Sequence, residues 1–139
     1  MALNERLEKL GQVLAERERD LSSDMDRAFG YAHKLHDRLA SALDVFHAQV
    51  MEDAPQLALT LSEVEVDEKH LHSVQFQLER GRHRAVFIVK SRGEVTFVGP
   101  FRAGKTEGPC RSFSFSSADE IEKALEDFVV AFVDQAATP

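Results

Sequence analysis

Up to residue 54, apolar side chains return every three or four positions. Leu3, Leu7, Leu10 and Leu14 are followed by Leu21, Met25, Ala28, Ala32, Leu35, Leu39, Ala42 and Phe46. Steps of four and three that alternate in this way draw a heptad seam along one side of a helix. The stretch holds no proline, and its glycines are Gly11 and Gly30. The first helix breaker is Pro55, which also disfavours a helical Ala54. Two steps of four meet at Leu21, from Arg17 and on to Met25, the phase slip known as a stutter when the helix is unbroken. One long helical segment over residues 1–54 is the preferred reading. The alternative is a break at Leu21-Ser22-Ser23-Asp24, where a serine could cap a second helix whose first turn holds Asp24 and Asp26. An unbroken helix would reach about 70 Å at 1.5 Å per residue. A domain of this size cannot cover that length, so part of the helix must find a partner.

The two halves of this segment differ. Before Leu21 the stripe is narrow and leucine alone fills it. After Leu21 it is widened by Phe29, Tyr31, Leu43 and Val50, as for a helix that packs on its own sheet. The narrow half, Leu3, Leu7, Leu10, Leu14 and Leu21, is therefore the candidate oligomerisation or docking surface, and its bland alternative is a helical hairpin folded back on itself.

From Pro55 the period changes to alternation, the mark of strands with one buried face. Leu57, Leu59 and Leu61 alternate with smaller or polar residues, and Val64 and Val66 continue on the other parity, which predicts a bulge near Glu63. Val74, Phe76 and Leu78 mark a second strand, residues 85–90 a third and residues 94–98 a fourth. Turn signals separate them at residues 67–69, Arg80-Gly81-Arg82 and Arg92-Gly93. Connections this short join antiparallel neighbours. The third strand, Val86-Phe87-Ile88-Val89, is apolar on both faces and is expected to be central and covered on both sides. Phe113 and Phe115 suggest a short fifth strand. Ser117 lies three residues before Glu120, the spacing of a capping box, and opens a helix with Ile121, Leu125, Phe128, Val129, Phe132 and Val133 on one face; residues after Ala136 are expected to fray. The fold class is thus α+β: a long N-terminal helix with the pattern of a coiled coil, followed over residues 55–139 by an antiparallel meander of four or five strands and a C-terminal helix packed on the sheet.

Composition changes little in this picture. The 139 residues are 43% hydrophobic and 29% charged, ordinary values for a globular domain. The longest apolar run, residues 128–133, is far short of the ~20 residues that cross a bilayer, so no membrane insertion is expected. The N-terminal residues carry both signs of charge and lack the apolar core of a secretory signal. With a single cysteine, Cys110, this points to the cytoplasm.

Charge changes it more. The net charge is −7, yet residues 80–111 carry eight basic groups (Arg80, Arg82, Arg84, Lys90, Arg92, Arg102, Lys105 and Arg111) against Glu94 and Glu107. Strand pairing would gather part of this set into a positive field. Arg82, Arg84, Arg102, Lys105 and Arg111 are the candidate residues for binding an anion or an acidic partner, unless they pair with the acidic helices. The acidic remainder would repel a polyanion, so nucleic acid is disfavoured.

The candidate chemistry is thin. Gly99-Pro100-Phe101-Arg102-Ala103-Gly104-Lys105-Thr106 fits the phosphate-loop pattern, but such a loop must open a helix, and Glu107-Gly108-Pro109 cannot form its first turn. A glycine-rich turn with Arg102 and Lys105 could still hold an anion on backbone amides; otherwise it is a flexible connection between strands. His33 with His36, and His70 with His72, could each supply two metal ligands, short of the three or four convergent ligands a site needs. Asp44 with His47 resembles half of a di-iron helix motif whose other half is missing. Cys110 has Arg111 beside it but no nearby base. No catalytic residue, metal ligand or cofactor is expected. Two functions remain: a self-associating, non-enzymatic interaction or adaptor protein, dimeric through the N-terminal heptads and offering its basic region to an acidic protein partner; or a sensor or enzyme subunit that binds a phosphorylated or carboxylated ligand.

Overall fold

The computed structural model describes residues 2–67, 72–102, 104 and 108–138, the side chain of Ser23 excepted. One helix, α1, runs without a break over Ala2–Val50. No cap interrupts it at Leu21: Ser22 Oγ donates to the Arg19 carbonyl oxygen within the helix at 2.8 Å. A turn and the 3-10 turn Pro55–Leu57 follow. The sheet contains β1 (Thr60–Leu61), β2 (Glu65–Val66), β3 (Ser73–Arg80), β4 (His83–Lys90), β5 (Glu94–Arg102) and β6 (Cys110–Ser114), and α2 (Ala118–Ala137) ends the fold. Leu57 and Leu59 are not strand residues; only Thr60 and Leu61 of that alternating run pair with β3.

All pairings are antiparallel. β1 and β2 share the outer edge of β3, which is followed in space by β4, β5 and β6. Leu61 faces Leu78 and Glu65 faces Gln75, so three edge residues stand against two on β3. This is the bulge that the parity switch near Glu63 anticipates. Two histidines of α1 hold the segment in place. His36 Nε2 lies 3.0 Å from the Ser62 carbonyl oxygen, and His47 Nε2 accepts from the Leu59 amide at 3.0 Å. Backbone polar groups that the short edge strands leave unpaired thus find side-chain partners.

Phe76, Phe87 and Phe97 stand directly opposite one another across β3, β4 and β5. Phe76 stacks on Phe87 with centroids 4.8 Å apart. Phe128 of α2 meets both Phe87 and Phe97 at 5.4 Å, and His36 of α1 meets the edge of Phe76. Both helices therefore lie on one face of the sheet, which corrects the expectation that β4 is covered on both sides. Val86, Ile88 and Val98 point to the other face and are only half-buried. β4 is central, but its second apolar row is only half-buried, and among the described residues neither helix lies over it. Arg38 links the helices by ion pairs to Glu122 at 3.0 Å and Glu126 at 3.9 Å.

Two further expectations need correction. The string from Gly99 does not begin as a flexible connection, because residues 99–102 belong to β5. Gly99 and Pro100 together face the single residue Ala85, a bulge within the β4–β5 ladder. Ser117 precedes α2 but its side chain makes no capping bond; the 3-10 turn Phe115–Ser117 leads into the helix, and Ser114 Oγ accepts from the Ser116 amide there.

Candidate functional site

Two regions of the surface carry unsatisfied chemistry, and they lie at different parts of α1 and the sheet. The first is the leading part of α1. From Ala28 onward the helix buries Ala28, Ala32, Leu35, Leu39 and Leu43 against the sheet. Residues 2–20 are exposed at every position, and Leu3, Leu7, Leu10, Val13 and Leu14 are each between 42% and 63% exposed. Leu21 is half-buried where this arm meets the body. The one anchor of the arm to the sheet among the described residues is Glu18, whose carboxylate lies 2.9 Å from Nε2 of His72. The helical propensity of the arm's leucines, lysine, arginines and glutamates keeps it helical, but a row of leucines in water on an isolated helix is unpartnered apolar surface.

The second region is the end of the sheet where the β3–β4 turn meets the end of β5. His83 pairs with Arg102 in the ladder, and this register draws Arg80, Arg82, His83 and Arg102 around a shallow hollow of about 470 Å³. The 3-10 turn and the last turn of α2 close its other sides through Gln56, Leu57, Ala136 and Thr138. Among the described residues no carboxylate pairs with Arg80, Arg82 or Arg102. Arg80 Nε is buried and has no hydrogen-bond partner among the described residues.

The candidate cations do not all meet there. Arg84 sits on the open face of the sheet, bonded to Glu79 at 3.1 Å. Arg111 lies on β6, 3.8 Å from Glu120 and over the ring of Phe113. Lys105 falls outside the described residues. Spacing along the chain grouped Arg82, Arg84, Arg102 and Arg111, whereas strand register keeps Arg82 and Arg102, adds Arg80 and His83, and sends Arg84 to the other face. The alternation of a strand is the signal that separates Arg84 from its neighbours.

Elsewhere the chemistry is structural. Among the described residues no cluster of three metal-ligating side chains occurs; His36, His47 and His72 are engaged as above, and His70 lies outside the described residues. The next described element after the glycine-rich string is the strand β6, not the helix that a phosphate loop opens. Cys110 is exposed at the start of β6, on the rim of a second hollow of about 420 Å³ between β5, β6 and α2. On the β4–β5 turn, burial alone would raise the Glu94 carboxyl, but hydrogen bonds and charge from Lys90 and Arg92 outweigh it and hold the group below its ordinary pKa. Burial, with Glu122 nearby, pushes the Tyr31 hydroxyl up from its ordinary value, which keeps Tyr31 neutral against Phe115, 4.4 Å away. No helix of the described residues is long and apolar enough to cross a membrane.

Compared with known proteins, the chain matches no family model, no curated sequence and no solved structure.

Proposed function

We propose that this chain is a non-enzymatic, self-associating interaction protein. Its N-terminal arms join two copies as a homodimer, and its basic end engages an acidic surface on a protein partner. The observation that carries the reading is the arm: a continuous helix projects a leucine row beyond the body that the rest of the same helix covers. Burying such a row against a second helix removes each leucine from water, at roughly 25 cal/mol per Å² of apolar surface. Arg80, Arg82 and Arg102 support the second half of the reading, being cations without carboxylate partners among the described residues in a chain of net charge −7.

Sedimentation equilibrium over a concentration series tests the first half. Dimers are expected for the intact chain and monomers for Leu7→Asp with Leu14→Asp. A monomer at all concentrations, or a dimer indifferent to both aspartates, overturns it. Titration with a polyglutamate peptide tests the second half, with binding lost in Arg82→Glu with Arg102→Glu.

The second reading is a site for a small anionic ligand, phosphorylated or carboxylated. The hollow of about 470 Å³ favours it, because this lies within the range of small-molecule sites. Inorganic pyrophosphate or citrate would then raise the melting temperature, and Arg102→Ala would remove the shift.

A further inference from the structure

We infer that the partner of the N-terminal arm is the arm of a second copy laid antiparallel, with the two-fold axis passing between the Gly11 and Val13 positions of the two chains. The inference rests on the self-association reading and specifies its geometry.

The first step concerns which side of α1 the seam occupies. Leu10 and Ala28, and likewise Leu14 and Ala32, are about five whole turns apart on a helix of 3.6 residues per turn. The leucine row of the arm therefore faces the same side as the row that the sheet covers. In a parallel, in-register pair each helix would have to continue along that side past residue 28, where the partner's sheet already lies. An antiparallel pair has no such conflict, because each arm ends where the other body begins.

The second step concerns register. With Leu7, Leu14 and Leu21 at the a positions, Leu3, Leu10 and Arg17 fall at d. Antiparallel coils layer a against d. Centring the overlap so that Leu10 meets Leu14 of the second copy also sets Leu3 against Leu21, and the symmetry repeats both layers. All the arm leucines then have partners, with Leu7 opposite the aliphatic stem of Arg17. A parallel pair would instead place Arg17 against its own copy, two like charges in the seam.

The flanking positions agree with the same register. In antiparallel coils g faces g and e faces e. Here Arg6 faces Asp20 of the second copy, twice across the axis, and Val13 faces Val13. Gly11 faces Gly11 at the axis. Gly11 is an exposed glycine inside a helix with nothing within 4 Å of where its Cβ would be, a residue that costs the isolated helix stability. At the axis of the pair it stands beside its own copy on the flank of the seam, where the missing side chain leaves the two chains room to approach.

The test uses a Cys110→Ser background and two further variants, Leu3→Cys and Leu21→Cys, in a glutathione redox buffer, with sedimentation run alongside. Mixing the two is expected to give a disulfide between a Leu3→Cys chain and a Leu21→Cys chain, while each alone stays uncrosslinked. Disulfides within Leu3→Cys alone mean a parallel pair and overturn the inference while leaving self-association intact. A sedimenting dimer that forms neither disulfide overturns this register. A monomer throughout removes the self-association reading and this inference with it. In parallel, Arg6→Asp and Asp20→Arg should each weaken association about tenfold, since two pairs are lost per dimer and like charges replace them. Combining both substitutions in one chain should restore it, which loss of helix stability alone would not do.

Discussion

Gly99 shows how much a single residue of this chain decides. Its φ is +123°, and a Cβ there would lie 3.0 Å from the Arg84 carbonyl oxygen and 3.2 Å from the Ala85 Cα. Both neighbours are backbone of the adjacent strand, so neither can swing aside. Gly30 is the opposite case, an exposed helical glycine with open space around its Cβ position. Gly99→Ala should destabilise the fold by about 1–3 kcal/mol, whereas Gly30→Ala should stabilise it by about 0.5–1 kcal/mol; urea unfolding of the two variants would check both signs. Glu94 offers a test of charge at the same scale. Its folded pKa lies below the unfolded value because Lys90 and Arg92 bond to it. Its contribution is therefore fully present above the unfolded carboxylate pKa and is lost as pH falls through the folded one. Glu94→Gln should cost about 1 kcal/mol or less at neutral pH, and wild type and variant should converge in acid. In the sequence both glycines were visible only as letters. The glycine at 99 read as part of a flexible connection, because a bulge inside a strand depends on what the neighbouring strand places opposite it.

At the scale of elements, α1 is where the sequence spoke most clearly. Its heptad steps, the absence of proline before residue 55 and the narrowing of the stripe before Leu21 together describe one helix with a packed half and an exposed half, and the burial from Ala28 to Leu43 follows the same positions. The strands were legible to within a few residues, since alternation registers a buried face even when it misses the ends. What the pattern could not show was the side on which each helix lies. An apolar row on the far face of β4 reads as burial under a second layer, whereas both helices lie on the other face and leave that row half-buried. The histidines were opaque for a related reason: His36 and His47 bind backbone groups more than ten residues away along the chain, and no local spacing encodes that. Because the arm's described link to the body is the pair of Glu18 with His72, removing residues 2–17 should leave the body nearly as stable. Its melting midpoint should shift by no more than a few °C, while sedimentation shows any dimer lost. A large drop in midpoint would mean that the arm supports the body.

At the scale of the whole molecule, acidic helices lie on one face of a sheet whose β3–β4 end carries Arg80, Arg82, His83 and Arg102. Two effects compete there. The last turn of α2 presents the negative end of its dipole, which favours nearby cations by about 0.3–1 kcal/mol. The cations also repel one another, by about 1 kcal/mol or less per pair in water. For the exposed pair, Arg82 and Arg102, these terms nearly cancel, so the two should matter little to folding. Reversing Arg82 and Arg102 together should thus change stability by less than about 1 kcal/mol, because each new carboxylate loses the dipole's favour but gains attraction to Arg80. The same double variant should lose most of its affinity for polyglutamate. A variant that binds normally but unfolds early would assign these arginines to the end of α2, and the acidic partner would have to be sought elsewhere on the surface.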